Sequence, residues 1–217
     1  MSKSISDLIN DVEKADSSIK LLVAVSSLSK ACSDESIPTL ISVLSYNNPG
    51  AAVAAVKGLV KIGKESVPAL MEEINNQNYT AKAWAIRALA GIGDPRSVDV
   101  LLKAATTDFS PSVRRTAAKG LGEIQWPIKP KNSLDPRELE VLETLLSISE
   151  KDEEWAVRYS AIVGLQLQYR LMTDENEQIK FKIKSHVRSI ESKDPDFAVS
   201  ARARLAFLEL CNMDNDS

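Results

Sequence analysis

The chain has 217 residues, of which 44% are hydrophobic and 26% charged, with a formal net charge of −3. Its 27 basic and 30 acidic side chains give no electrostatic reason to expect nucleic acid or a membrane surface, and no apolar run approaches the roughly 20 residues that span a bilayer. Two widely separated cysteines fit a reducing compartment, and the opening Met1-Ser2-Lys3-Ser4-Ile5 lacks the apolar core of a signal peptide, so a cytoplasmic setting is expected.

In chain order, residues 6–31 predict a first helical pair. Leu8, Ile9 and Val12 lie on one helix, and Ile19, Leu22, Val23, Val25 and Leu28 on the next. Polar positions around them suit a capping pair. Regular repeats follow over 36–124. Ser36-Ile37-Pro38 and Ser66-Val67-Pro68 place proline in a first turn, and Asp94-Pro95 reads as a cap before another outer helix. Asn48, Asn78 and Ser110 stand before the second helices, and Gly63 and Gly93 close two of them. The rhythm breaks at an insert, 125–135, whose Trp126-Pro127 and Pro130 cannot continue a helix and are expected to fold over a neighbouring surface. Repeats resume over 136–171 and 179–210.

The second helices are copies of one another. Starting each copy at Lys20, Ala51, Ala81, Val113, Val157 and Val199, the fifth place is always alanine: Ala24, Ala55, Ala85, Ala117, Ala161 and Ala203. The eighth is small (Ser27, Gly58, Ala88, Gly120, Gly164, Ala206), and the ninth is large and apolar (Leu28, Leu59, Leu89, Leu121, Leu165, Phe207). Places one, five, eight, nine and twelve share one helical face. Such a period predicts an all-α chain, a right-handed α-solenoid of about six helical hairpins in a single domain, 1–217.

Several side chains stand out against this frame. Places three, six, seven and ten are read as facing away from the core. Val53, Val56, Val60 and Ile86 then form an apolar wall that a partner should cover. Lys57, Arg87 and Lys119 repeat at place seven as a basic row, with Arg115 at its end. Trp84 and Trp155 read as packing anchors, and Arg114 and Arg158 as ladder residues pairing with acids such as Asp108 or Asp152. Cys32 and Cys211 read as small buried hydrophobes. His186, the one histidine, lies in a Lys/Arg-rich stretch read as a solvated outer helix. One histidine excludes a His-based metal cluster, and no Cys-x-x-Cys or phosphate-binding loop is present.

The runs Tyr46-Asn47-Asn48-Pro49-Gly50-Ala51-Ala52-Val53 and Ala83-Trp84-Ala85-Ile86-Arg87-Ala88-Leu89-Ala90-Gly91-Ile92-Gly93-Asp94-Pro95-Arg96 resemble the HEAT-like repeat subunits of E/F-type phycobilin lyases. Asp108-Phe109 and Ser112-Val113-Arg114-Arg115 extend the likeness, and the length resembles that of the F-type subunit. The resemblance implies a heterodimer with an E-type subunit that attaches a linear tetrapyrrole, phycocyanobilin or a close relative, to a cysteine of a phycobiliprotein α subunit such as phycocyanin α, in the cyanobacterial cytoplasm. It implies no cofactor or metal of the subunit's own, with bilin as substrate. Lys57, Trp84, Arg87, Arg115, Lys119 and Tyr159 are then candidates to hold the pigment. Relatives that also isomerise the bilin carry an adjacent His-Cys pair where this chain reads Gln125-Trp126-Pro127-Ile128, so isomerisation is not expected. The rival readings are a lyase subunit directed to phycoerythrin, a noncovalent chaperone of bilin or phycobiliprotein, and a scaffold without a small ligand.

Overall fold

Helix starts in this chain are set by short polar side chains that take up orphan amide hydrogens. Ser4 and Asp7 form a reciprocal capping box at the start of α1 (Ile5–Glu13). Ser17 caps α2 (Ser18–Ala31), Asn48 caps α4 (Pro49–Ile62) and Asn78 caps α6 (Tyr79–Ile92). Between them, α3 (Ile37–Val43) and α5 (Val67–Ile74) carry proline in their first turn, as the sequence predicts. Each is preceded by a 3-10 turn whose last residue, Ser36 or Ser66, is fully buried with its hydroxyl bonded to a backbone carbonyl. Pro95 opens a third such turn, ending at buried Ser97, and the next helix starts only at Val98.

The computed structural model describes residues 3–127, 134, 136–173 and 176–215, the side chains of 214 and 215 excepted. Its contacts divide into two compact units, one up to Ser97 and one from Val98 onward, where the sequence reading takes a single domain. The second unit holds α7 (Val98–Thr107), α8 (Pro111–Gly122), α9 (Pro136–Lys151), α10 (Trp155–Arg170), α11 (Glu177–Lys193) and α12 (Phe197–Asn215). Among the described residues there are six helical pairs and no strand, and no helix is long and apolar enough to cross a membrane. Of the expected insert, residues 128–133 and 135 lie outside the described residues.

The periodic residues do what their spacing predicts. All six place-five alanines are buried, and so are the place-nine leucines. Phe207 departs from this: it is half-buried, with the Arg188 guanidinium 5.0 Å from its ring centre. Small residues let backbones approach. A Cβ on Gly122 would sit 2.3 Å from the Gly164 Cα, so α8 and α10 touch backbone to backbone there.

At place thirteen the chain turns through positive φ in all three second helices of the first unit: Cys32 (φ 53), Gly63 (φ 86) and Gly93 (φ 70). Glycine suits that turn and cysteine does not. Cys32 is also exposed rather than buried, because it is the cap residue and its side chain leaves the helix; Cys211 is half-buried.

In the second unit the turns before the second helices are built on aspartate. Asp108, Asp152 and Asp194 each accept the amide hydrogen two residues on, from Ser110, Glu154 and Asp196. Ser110 makes no side-chain cap, contrary to the sequence reading; its own amide hydrogen goes to Asp108 in the turn before α8. Trp126 does lie against its neighbour: its indole N–H donates to Gln168 Oε1 (3.3 Å), while Gln168 Nε2 donates to the Leu121 and Gly122 carbonyls that end α8.

Candidate functional site

In the first unit, α4 and α6 pack directly against each other and place the candidates on two neighbouring helices. Lys57 and Arg87, both at place seven, are exposed. Arg87 lies over Trp84, its guanidinium carbon 5.6 Å from the ring centre, and Trp84 is half-buried. Stacking of this kind orients the planar fork while leaving its N–H groups available to a carboxylate. Half-buried Val53 and Ala83, at place three, stand on the same two helices.

The apolar wall is smaller than the sequence predicts. Val56 is 6% and Ile86 1% exposed, so both are corrected from partner interface to core. Place six faces the adjoining second helix, which the small residues of the repeat bring close. Val60 is half-buried and packs over Gly91, whose added Cβ would meet it at 2.9 Å. Of the four proposed interface residues Val53 and Val60 are half-buried, and Val56 and Ile86 belong to the core.

In the second unit Arg115 is exposed, Tyr159 is half-buried and Lys119 is exposed with its Nζ 3.0 Å from Glu123, one turn on. The ladder residues are structural. Arg114 grips Asp152 through Nε (2.9 Å) and Nη2 (3.0 Å), and its Nη1 donates to the Asp108 carbonyl (3.1 Å). Arg158 repeats the arrangement on Asp194. The hydrogen bonds they donate to Asp152 and Asp194 hold these guanidinium groups above their ordinary pKa. Burial pushes the Asp194 carboxyl up, but the Arg158 hydrogen bonds and charge, with the Asp196 amide, outweigh it and leave it below the usual range. Asp194 was missed in the sequence. An aspartate five residues before each Val-Arg pair, and again before Val199, was the available signal. An open cleft of about 470 Å³ beside Arg114 is lined by Ala105, Ile148 and Lys151, among others, and its two buried charges are committed to each other.

His186 is half-buried, not solvated. Its Nε2 lies 2.9 Å from the Ser149 hydroxyl, which donates to the Leu146 carbonyl and so accepts from the ring. Burial holds its pKa below the ordinary 6.5, against the pull of Glu150 and the Leu146 carbonyl. Among the described residues no cluster of His, Cys, Asp and Glu could hold a metal ion. Among the candidates, α4 and α6 present two exposed basic side chains, Lys57 and Arg87, beside a half-buried tryptophan, Trp84.

Stacked helical pairs with buried alanines at a fixed place define a helical-repeat protein, and the family of HEAT repeats matches residues 67–166. The chain is 47% identical over 202 residues to the phycocyanobilin lyase subunit beta of Nostoc sp., covering 92% of this chain and 97% of the relative. It is 42% identical over 195 residues to the phycocyanin alpha phycocyanobilin lyase CpcF of Synechocystis sp., covering 90% and 89%. Among solved structures, the complex of CpcE and CpcF of phycocyanin lyase from Nostoc sp. PCC7120 matches at a TM-score of 0.68 and 44% identity, over 80% of this chain and 99% of that one. The chain belongs to the family of F-type, or beta, subunits of the phycocyanobilin lyases.

Proposed function

We infer that this chain is the F-type subunit of a heterodimeric bilin lyase, joined to an E-type subunit, which attaches phycocyanobilin through a thioether to a cysteine of phycocyanin α. The observation that carries this reading is the 47% identity to a phycocyanobilin lyase beta subunit across 97% of that relative. The reaction adds the acceptor's S–H across the exocyclic double bond of ring A. Sulfur bonds to the exocyclic carbon, the proton goes to the ring carbon at the other end, and one C=C π bond is spent. Atoms and electrons balance without oxidant, reductant or metal, so the subunit is assigned no cofactor of its own. What remains for the protein is to hold the pigment extended and present one face to one thiol, a gain from proximity and orientation.

The wall of α4 and α6 fits that task. Val53, Ala83 and Trp84 offer apolar surface to the rings, and Arg87 and Lys57 offer charge to the propionates. Arg115, Lys119 and Tyr159 of the second unit extend the candidate set, Lys119 less strongly because Glu123 already pairs with it. The work is assigned to the cyanobacterial cytoplasm, where the acceptor is made.

Mixing the purified chain with its E-type subunit, phycocyanobilin and apo-phycocyanin α tests the reading. A fluorescent adduct that survives denaturation is expected. Pigment bound only reversibly would make the complex a chaperone, and no pigment bound would make it a scaffold; transfer only to phycoerythrin α would redirect the acceptor.

A further inference from the structure

Opposite charges meet at close range in much of this chain: Lys20 pairs with Asp16, Lys119 with Glu123, and Arg114 and Arg158 with Asp152 and Asp194. The helices α4 and α6 are different. They carry Lys57, Lys61, Lys82 and Arg87 and not one acid. The elements packed on α4 are α2, α3, α6 and the 3-10 turn Gly63–Ser66. To the cations of α6 they add Lys20 (already held by Asp16), Lys30 and Lys64, against the single carboxylate of Glu65. In a chain of net charge −3, this is a local surplus of positive charge.

These cations are committed to different degrees. Arg87 lies over Trp84, and its planar fork suits a carboxylate. Lys61 donates to the Lys30 carbonyl at 3.3 Å. Lys57 is exposed, and its ammonium has no partner among the described residues. It stands at place seven of α4, one helix spacing, about 8–10 Å, from Arg87 at the same place of α6. An ammonium without a fixed hydrogen bond acts as a point charge, felt over a Debye length of about 10 Å at 0.1 M salt.

Addition to ring A is carried by a thiolate, and a free cysteine, with a pKa of about 8.5, is mostly protonated at neutral pH. A pigment held on α4 and α6 brings its attacker to the same two helices. We propose that their positive field, with Lys57 as its freest member, favours the thiolate form of the acceptor's cysteine as it reaches ring A. The proposal rests on the lyase reading above and gives the pigment wall a second task. The thiol releases its proton to water, and a sulfur lone pair bonds to the exocyclic carbon. The π pair moves to the ring carbon, which takes a proton back from water. Nothing is oxidised or reduced.

The test is the pH dependence of single-turnover adduct formation, with the heterodimer saturated by phycocyanobilin and apo-phycocyanin α in excess. Lys57→Met should raise the apparent pKa of the rising limb by about half a unit, so that the rate at neutral pH falls about threefold. The two curves should converge at alkaline pH, where the thiol is fully ionised. Lys57→Arg keeps the charge and should follow the parent, and added salt should move the parent's curve more than that of Lys57→Met. The shift should persist when the pigment is the propionate diester. Lys57 is exposed, so the helical circular dichroism of both variants should match the parent's. An unshifted curve for Lys57→Met would overturn the proposal. Equal slowing at every pH, or a shift that vanishes with the diester, would make Lys57 a holder of the pigment only and overturn it too. No adduct from the parent complex at any pH would instead overturn the lyase reading.

Discussion

Arg158 of α10 holds Asp194, in the turn before α12, through two parallel hydrogen bonds of 2.7 and 2.9 Å, and its third nitrogen donates to the carbonyl of Asp152 at 2.9 Å. One guanidinium thus ties its own turn to the next, and Arg114 does the same one repeat earlier. Both ends of the pair are about nine-tenths buried or more. Removing one end strands a buried charge, which costs roughly 3–5 kcal/mol. Arg158→Ala should therefore lower unfolding stability by about 3 kcal/mol in urea titration. A loss under about 1 kcal/mol would show the pair to be no better than a surface salt bridge.

The pH dependence of the same pair has a definite sign. Asp194 is held below its unfolded value of about 3.8, so its contribution is fully present above that pH and is lost as pH falls through the folded value. Asp194→Asn should be less stable than the parent at pH 7, and the gap should narrow below about pH 4. A gap that stays constant down to pH 2 would mean that the carboxylate charge is not what Arg158 recognises.

His186 acts at a milder pH. With the imidazole held neutral against Ser149, the unfolded chain takes up a proton more readily than the folded one below about pH 6.5. Its contribution is complete above that pH and declines as pH falls through the lowered folded value. His186→Gln should flatten the stability curve between pH 7.5 and 5.5. Parallel curves for variant and parent would show that burial leaves the imidazole untouched.

The repeat itself was legible because its small residues recur at fixed places: alanine at place five has only one face to occupy, and all six copies bury it. Place six was not legible in the same way. Val56 and Ile86 lie off the hairpin's own core face, and spacing within one helix does not show how closely neighbouring helices pack, a closeness that Gly122 and Gly164 show as backbone contact between α8 and α10. The Arg–Asp pairs span 38 and 36 residues, so each Arg was visible and its acid ambiguous. For the candidate pigment wall, place seven was correctly read as outward at Lys57, Arg87 and Lys119, while the stacking of Arg87 on Trp84 needed side-chain geometry that spacing alone does not give.

Cys32 stands in the left-handed turn that Gly93 also adopts, at the place where Gly63 too has positive φ. A side chain there costs roughly 1–2 kcal/mol, part of which a glycine returns through unfolded-state entropy. Cys32→Gly should raise stability by about 0.5–1 kcal/mol, less a weak Sγ contact to the Lys61 carbonyl at 3.5 Å. The measurement is again a urea midpoint under reducing conditions, and a destabilised variant would show that the thiol contact matters more than the turn.

If α4 and α6 hold the pigment as proposed, Arg87 is the side chain on which that wall depends most. It is exposed, so losing it leaves the core intact, and Trp84 holds it ready, so little ordering remains to be done when a carboxylate arrives. One charge-assisted hydrogen-bonded pair is worth about 1.5–3 kcal/mol, so Arg87→Ala should weaken pigment binding or slow transfer by about tenfold or more while the heterodimer assembles normally. Arg87→Lys should recover only part of the loss, because an ammonium supplies charge without the planar two-pronged fork. Esterifying the bilin propionates gives the second arm: the parent should lose affinity for the diester, and Arg87→Ala should hardly distinguish acid from ester. If the variant transfers phycocyanobilin at the parent's rate and still discriminates against the diester, the propionates are held elsewhere and Arg87 has no part in gripping them.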